Sequence, residues 1–263
     1  MKTYIAGFIG TGNMGGALAA AACKTDKNVL LSDGDRAKAE ALAERCGCTV
    51  GDNAAAVSQC RFVFIGLKPQ ILGDVLPPLG KDLAEDTVVV SMAAGVTMEK
   101  IATLLGKNVP VIRIMPNTPA ALGEGMILYT ANELVTAEDE AAFLHLMQAA
   151  GEFDRLPEQL IDAGSALSGC GPAFVYLFIE ALADGAVQCG LPRDKALRYA
   201  AQTALGAARM VQLDGRHPGE LKDAVCSPGG STIAGVHALE DGAFRGTVMD
   251  AVEAAFKRTK ELG

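Results

Sequence analysis

From Thr3 to about Arg155, short apolar runs rich in β-branched residues alternate with longer amphipathic stretches. That alternation is the rhythm of βαβ units and predicts an α/β fold built on a doubly wound parallel sheet. The expected strands cover 4–9, 29–32, 62–66, 87–91, 109–115 and 126–129. Several are apolar at consecutive positions, as in a sheet with helices on both faces. Helical patterning covers 36–45 and 136–150. After Pro157 the strand-like runs stop, and the rest of the chain reads as helices punctuated by Gly and Pro. The boundary is expected near residue 160, dividing the chain into 1–160 and an all-α domain over 161–263.

Within the second part, Gly171-Pro172 opens a helix, Gly190 and Pro192 close it and start the next, and Gly215 and Pro218 divide the following pair. In the helix from Pro172 to Cys189 the polar residues Tyr176, Glu180, Asp184 and Gln188 form one narrow stripe, and apolar side chains cover the remaining circumference. A surface helix needs an apolar arc of only about 100°. This one must be covered on several sides, which predicts a homodimer or higher homo-oligomer joined through the helical domain. In the next helix Ala196, Ala200, Ala204 and Ala208 form a small-residue side suited to close approach of a neighbour.

Composition narrows the function. Half of the 263 residues are hydrophobic (50%) and the mean hydropathy is +0.25. No stretch offers roughly 18 uninterrupted apolar residues, since the densest, Ala173 to Ile179, stops at Glu180, so no membrane span is expected. The segment Met1 to Gly7 lacks the apolar run and cleavage site of a signal peptide. With 23 Lys and Arg against 31 Asp and Glu, the net charge of -8 repels a phosphate backbone and argues against nucleic acid as a partner. Seven scattered cysteines without a C-x-x-C pair suit free thiols in a reducing cytoplasm, and no metal site is expected from them or from three widely spaced histidines.

The chemistry begins at Gly10-Thr11-Gly12-Asn13-Met14-Gly15, a G-x-G-x-x-G run between the first strand and an Ala-rich helix. In that position each glycine is needed for a different reason. Gly10 permits a tight turn, Gly12 lets a pyrophosphate approach the backbone, and Gly15 allows close helix-to-strand packing. The helix start offers unpaired N–H groups to the phosphates. A Rossmann-type dinucleotide-binding domain over 1–160 follows. At the end of the second strand Asp33 would accept from both ribose hydroxyls, whereas Ser32 and Arg36 could hold a 2'-phosphate, so the coenzyme is NADP(H) or NAD(H). Asp35 is expected to cap the next helix. The loops Gly66-Leu67-Lys68-Pro69 and Ser91-Met92-Ala93-Ala94-Gly95 follow the next two principal strands, where such sheets bind ligands.

Together with Leu67-Lys68-Pro69, the run 90–97, Arg113-Ile114-Met115-Pro116-Asn117-Thr118-Pro119 and the stretch 221–233, this loop resembles the pyrroline-5-carboxylate reductases over nearly the whole chain. The resemblance implies reduction of a small cyclic imine, 1-pyrroline-5-carboxylate, to L-proline by NADPH or NADH, with a helical dimerisation domain after the Rossmann domain. It also implies that the phosphate loop, Asn53, Leu67, Lys68, Pro69, Ala93, Ala94 and Asn117 line the cofactor. Ser227, Gly230, Ser231 and Thr232 would hold the substrate. Asp33 departs from the uncharged residue expected of an NADP-preferring member.

Ser227-Pro228-Gly229-Gly230-Ser231-Thr232 also has a reading of its own. Pro228 suits a first helical position and Ser227 or Ser231 a cap, so N–H groups and hydroxyls converge into an anion site of carboxylate size. The Thr232 hydroxyl is the candidate partner of the imine nitrogen. The competing β-hydroxyacid dehydrogenases need a lysine where Gly169-Cys170-Gly171-Pro172-Ala173-Phe174-Val175 offers Val175, and a nucleotide sensor would leave the hydroxyl-rich turn without a purpose.

Overall fold

Consecutive apolar residues extend into strands whose alternate side chains enter opposite cores. The computed structural model describes residues 2–262, and the outermost ends of the two expected domains, Met1 and Gly263, lie outside the described residues. The first part runs β1 (Tyr4–Ile9), α1 (Asn13–Thr25), β2 (Val29–Ser32), α2 (Arg36–Cys46), β3 (Thr49–Val50), α3 (Asn53–Gln59), β4 (Cys60–Ile65), α4 (Leu72–Leu79), β5 (Val88–Ser91), α5 (Met98–Leu105), β6 (Val111–Met115), β7 (Gly125–Ala131), α6 (Ala137–Met147), β8 (Gly151–Arg155) and α7 (Glu158–Ser168). Five helices follow: α8 (Gly171–Gln188), α9 (Arg193–Asp214), α10 (Pro218–Ala224), α11 (Ser231–Asp241) and α12 (Phe244–Leu262).

The sheet order is β3-β2-β1-β4-β5-β6-β7-β8. Phe62 and Phe64 face one core with α1, α2 and α6, while Val63 and Ile65 face the other with α3, α4 and α5. Phe8 stacks on Phe64 with ring centroids 4.3 Å apart, tying the two central strands together. The expected strands all form, with edges shifted by one or two residues. The parallel pattern breaks once, where β7 pairs antiparallel to β6. The intervening segment 116–124 is shorter than the dozen or so residues a parallel crossover needs. The edge strands β3 and β8 have no signal in the patterning, because β3 is two residues long and β8, Gly-Glu-Phe-Asp-Arg, is largely polar.

The chain groups into two compact units, one running to Cys170 and including the final segment from Ala255, the other Gly171–Ala254. By packing, α7 groups with the sheet. Arg113 on β6 explains why α7 stays with the sheet: it is 2% exposed, its Nη2 lies 2.5 Å from Asp162 Oδ1 and its Nη1 3.6 Å from Glu158 Oε1. Ile161 packs beside it against Met115 and Leu128.

In the second unit α8 and α9 form an antiparallel pair whose buried residues are all alanines: Ala183 meets Ala196 and Ala200. Half of the small-residue side of α9 is thus used inside the chain, a correction to its expected role toward a neighbour. Elsewhere α8 keeps its apolar surface exposed, Leu177 at 66% and Val175 at 48%. Within Glu158–Gln188 an 18-residue window reaches a mean hydropathy of 1.5, long and apolar enough by length and composition alone to cross a membrane, although Glu180 still interrupts its apolar run. Gly169 and Cys170 interrupt it as a turn between α7 and α8.

Arg113→Ala should lower the unfolding free energy by about 3 kcal/mol, because it strands two carboxylates beside the core. Urea denaturation followed by circular dichroism measures this, and a loss under about 1 kcal/mol would deny the pair its anchoring role.

Candidate functional site

The backbone at the end of β1 is shaped by contacts that leave no room for side chains. Gly10 has φ of +93°, a conformation L-residues rarely adopt, and a Cβ there would lie 2.6 Å from the Gly66 carbonyl oxygen. A Cβ on Gly15 would sit 2.1 Å from the Gly10 carbonyl oxygen, so α1 can approach the strand only through a bare backbone. Gly12 is the opposite case: a Cβ there would meet nothing within 4 Å. Gly12 is also the N-cap of α1 and no side chain caps it, leaving the first N–H groups of the helix facing that open space. A phosphate group fits this cradle by size and by charge. Asn13 is exposed and Met14 half-buried beside it.

At the end of β2 the Asp33 carboxylate turns back onto the loop. Its Oδ2 accepts from Thr11 N at 2.6 Å and from Thr11 Oγ1 at 2.9 Å, and its Oδ1 accepts from Asp35 N at 2.9 Å. Partial burial works against the charge, but the bonds from Asp35 and Thr11 prevail and hold the carboxyl below its ordinary range. Asp35 occupies the N-cap position of α2 without capping it; its carboxylate lies 3.5 Å from Lys38 Nζ instead. Ser32 is buried and donates to Asn53 Oδ1 at 2.6 Å. Ser32, Asp33, Arg36 and Asn53 line a cleft of about 490 Å³. Arg36 lies in an exposed pair with Glu40, an interaction weak enough in water to be exchanged for another anion.

Further along the same edge, Leu67 packs on the core, Lys68 is exposed and Pro69 starts a 3₁₀ turn. Ala93 is buried at 1% and Ala94 half-buried. The loop carrying them is held at one end by Ser91 Oγ, which accepts from Ala93 N at 3.4 Å, and at the other by Glu158 Oε1, which accepts from Met98 N at 2.8 Å. Asn117 has both amide atoms engaged, donating to the Ser168 carbonyl at 2.9 Å and accepting from Met126 N at 3.0 Å. The expected cofactor residues thus gather on the loops after β1, β2, β4, β5 and β6 and at the start of α3, around the reversal of strand order between β1 and β4. Glu158 and Arg113 had no local signal, because their partners lie tens of residues away in the chain.

In the second unit, Ser227-Pro228-Gly229-Gly230 is a tight turn in which Gly230 N donates to the Ser227 carbonyl at 3.0 Å and Gly229 has φ of +67°. Pro before a left-handed Gly is the chemistry of a type II turn, so Pro228 does not start the helix. Helix α11 begins at Ser231, with Gly230 as N-cap and no side chain capping it. A Cβ on Gly230 would lie 2.3 Å from Ser227 Oγ, which is folded against the start of α11. Ser231 and Thr232, both exposed, occupy its first turn among free N–H groups. The result is an uncapped helix start beside hydroxyls, of a size and charge that suit a carboxylate.

Two family models match the chain: pyrroline-5-carboxylate reductase dimerisation over 158–262, and NADP oxidoreductase, coenzyme F420-dependent, over 5–95. The pyrroline-5-carboxylate reductase of Pisum sativum is 43% identical, with 99% of this chain and 96% of the relative covered. That of Escherichia coli is 41% identical, with 97% of each covered. Among solved structures, the Plasmodium falciparum pyrroline carboxylate reductase with NADP bound aligns with a TM-score of 0.90 at 32% identity, covering 100% of both chains.

The two kinds of glycine should separate on substitution. Gly12→Val should keep the melting temperature and weaken NADPH binding by at least about tenfold, since the side chain fills only ligand space. Gly15→Val should not fold at all. Thermal melts and titration of nucleotide fluorescence test both; full affinity in Gly12→Val would remove the phosphates from this loop.

Proposed function

The chain belongs to the pyrroline-5-carboxylate reductase family, and from that premise we propose how its residues carry out the reduction of 1-pyrroline-5-carboxylate to L-proline with NADP(H). The observation that carries the reading is the presence in one chain of an uncapped, open-faced glycine loop at α1 and an uncapped, hydroxyl-flanked helix start at α11. When bound, the nicotinamide supplies the hydride. Thr11 to Gly15 hold the pyrophosphate, Ser32, Arg36 and Asn53 take the 2'-phosphate side of the ribose, and Leu67 to Pro69 with Ala93, Ala94 and Asn117 line the remaining length. Asp33, spent on Thr11 and Asp35, serves this loop as its brace.

At the substrate end the free N–H groups of Gly230, Ser231 and Thr232 and the Ser227 and Ser231 hydroxyls receive the carboxylate. The Thr232 hydroxyl hydrogen-bonds the ring nitrogen. A neutral hydroxyl is a weak acid. It therefore orients an imine that arrives protonated, so that the imine carbon is presented within roughly 3–3.5 Å of the hydride donor. No ionisable side chain is required for the transfer.

The proposed working division is 1–160 for the dinucleotide and 161–263 for substrate and assembly. The chain carries a dimerisation domain and forms a homo-oligomer. The contact surface we assign is the apolar groove of about 580 Å³ between Phe178, Leu182, Leu239, Phe244 and Val248. A second copy, and not a lipid bilayer, covers it. The acidic charge and the free cysteines support a cytoplasmic enzyme without nucleic-acid partners.

NADPH absorbance should fall only when pyrroline-5-carboxylate is added, and Thr232→Ala should lower kcat/KM for the imine by roughly 10- to 100-fold while NADPH affinity holds. An unchanged kcat/KM would remove Thr232 from the site. Leu182→Glu should reduce both the mass by light scattering and the activity, and a fully active monomer would refute the assigned surface.

A further inference from the structure

The turn leaving β5 is gripped at both ends, and both grips start from one row of the sheet. Ser91 on β5 and Arg113 on β6 are register partners, 0% and 2% exposed. Ser91 Oγ accepts from Ala93 N at 3.4 Å and holds the start of the turn. Arg113 acts on its far end through α7: Glu158 Oε1 lies 3.6 Å from Arg113 Nη1 and accepts from Met98 N, the first amide of α5, at 2.8 Å. Between the two, Gly95 turns the chain with φ of +72° and Ala94 packs on the cluster of Met115, Leu128 and Ile161. Thr97 already caps α5 by accepting from Lys100 N, so the bond to Glu158 is an additional tie.

Stability alone is a poor account of the buried arginine. Among the described residues its Nε has no hydrogen-bond partner, and an unsatisfied buried donor weakens a fold. An apolar side chain of similar volume often serves a core as well as a buried ion pair does. It cannot hold a carboxylate in place. Arg113 holds two, Glu158 and Asp162, which stand one turn apart on α7, and its planar fork fixes how that helix is rotated. Sheet order says what the turn is near. β5 lies two strands beyond β1, about 10 Å from the phosphate loop at about 4.8 Å per strand, on the side away from Ser32 and Asp33. On the functional reading above, on which this inference rests, that side receives the nicotinamide half of the coenzyme, lined by Ala93 and Ala94.

We propose that Glu158, held by Arg113, is a positioning residue for the hydride transfer: its bond to Met98 N fixes the 92–97 turn where the nicotinamide half of the coenzyme lies. It touches neither coenzyme nor substrate. The step it serves depends steeply on the distance between the reacting atoms, so a turn released at one end lowers kcat. Coenzyme affinity rests on charged contacts at the phosphate and ribose end and is little affected. What the turn needs from position 158 is an acceptor that reaches Met98 N, and the negative charge is secondary.

The test approaches that bond from both sides in the full chain. Glu158→Gln keeps the acceptor and its reach without the charge, whereas Glu158→Asp keeps the charge but is one methylene too short. Met98→Pro removes the donor at a first helical position, which proline favours, after a Thr97 whose ψ of 160° suits a following proline. Met98→Ala keeps the N–H and trims only the side chain. At saturating NADPH and imine, kcat should fall by about tenfold or more in Glu158→Asp and Met98→Pro and by less than about threefold in the other two, with the Kd for NADPH within about threefold throughout. Hydrogen exchange of the 92–98 amides without coenzyme, read by mass spectrometry, should quicken by about tenfold in the same two variants only. Full kcat and slow exchange in Glu158→Asp with losses in Glu158→Gln would overturn the assignment, as would a kcat loss that merely tracks melting temperature across all of them. Should one variant fail to fold, the pair at the other residue decides. A wild-type protein that binds NADPH and leaves the imine untouched would refute the functional reading instead, and the exchange rates would still decide whether Glu158 holds the turn.

Discussion

Three stretches of backbone meet at the carbonyl of Gly10 with no space for a side chain between them. The ends of β1 and β4 and the start of α1 touch there, with positions for a Cβ on Gly15 and Gly66 only 2.1 and 2.5 Å from that oxygen. The rest of the first unit's binding edge depends on this junction. It aims the N-terminus of α1 over the strand-order reversal, and it turns the Thr11 amide and hydroxyl toward Asp33. Behind it, the stacked Phe8 and Phe64 make the two strands a stiff base. A reaction governed by distance between a hydride donor and an imine carbon gains most from such rigidity, since a displacement of about 1 Å costs rate steeply.

The two units solve burial differently. The first covers both faces of its sheet with its own helices and buries even an arginine against carboxylates on α7. The second buries little more than three alanines between α8 and α9 and leaves leucines, phenylalanines and valines in the open. Apolar surface kept in water forgoes about 25 cal/mol per Å². A dimerisation domain is the physical completion of such a unit, and assembly is part of its folding stability as much as of its function.

The hydroxyl and amide groups at the start of α11 suit a substrate that brings its own positive charge. Placing an acid there would pair with the imine in the ground state as strongly as in the transition state and so add little to the rate. In the proposed reading, a partial positive helix end for the carboxylate and a neutral hydroxyl for the nitrogen would orient the ring without holding it too tightly.

Local information was enough for much of this. Alternating apolar runs, the glycine loop at the end of the first strand and the Pro-Gly punctuation of the helices are short-range features, and they placed the sheet strands, the phosphate loop and the helical second part. Polar edge strands escaped because β8 buries too little to impose an apolar pattern, and Pro228 was misplaced because the same dipeptide chemistry serves a helix start and a type II turn. What only the tertiary structure decided were the contacts between residues far apart in the chain. Arg113 reaching Asp162, Glu158 capping α5 and Asp33 bracing Thr11 each join segments whose encounter depends on the finished sheet and its helices. Periodicity specifies which face of an element is buried; the partner it meets there is set by packing, and packing is a property of the whole chain.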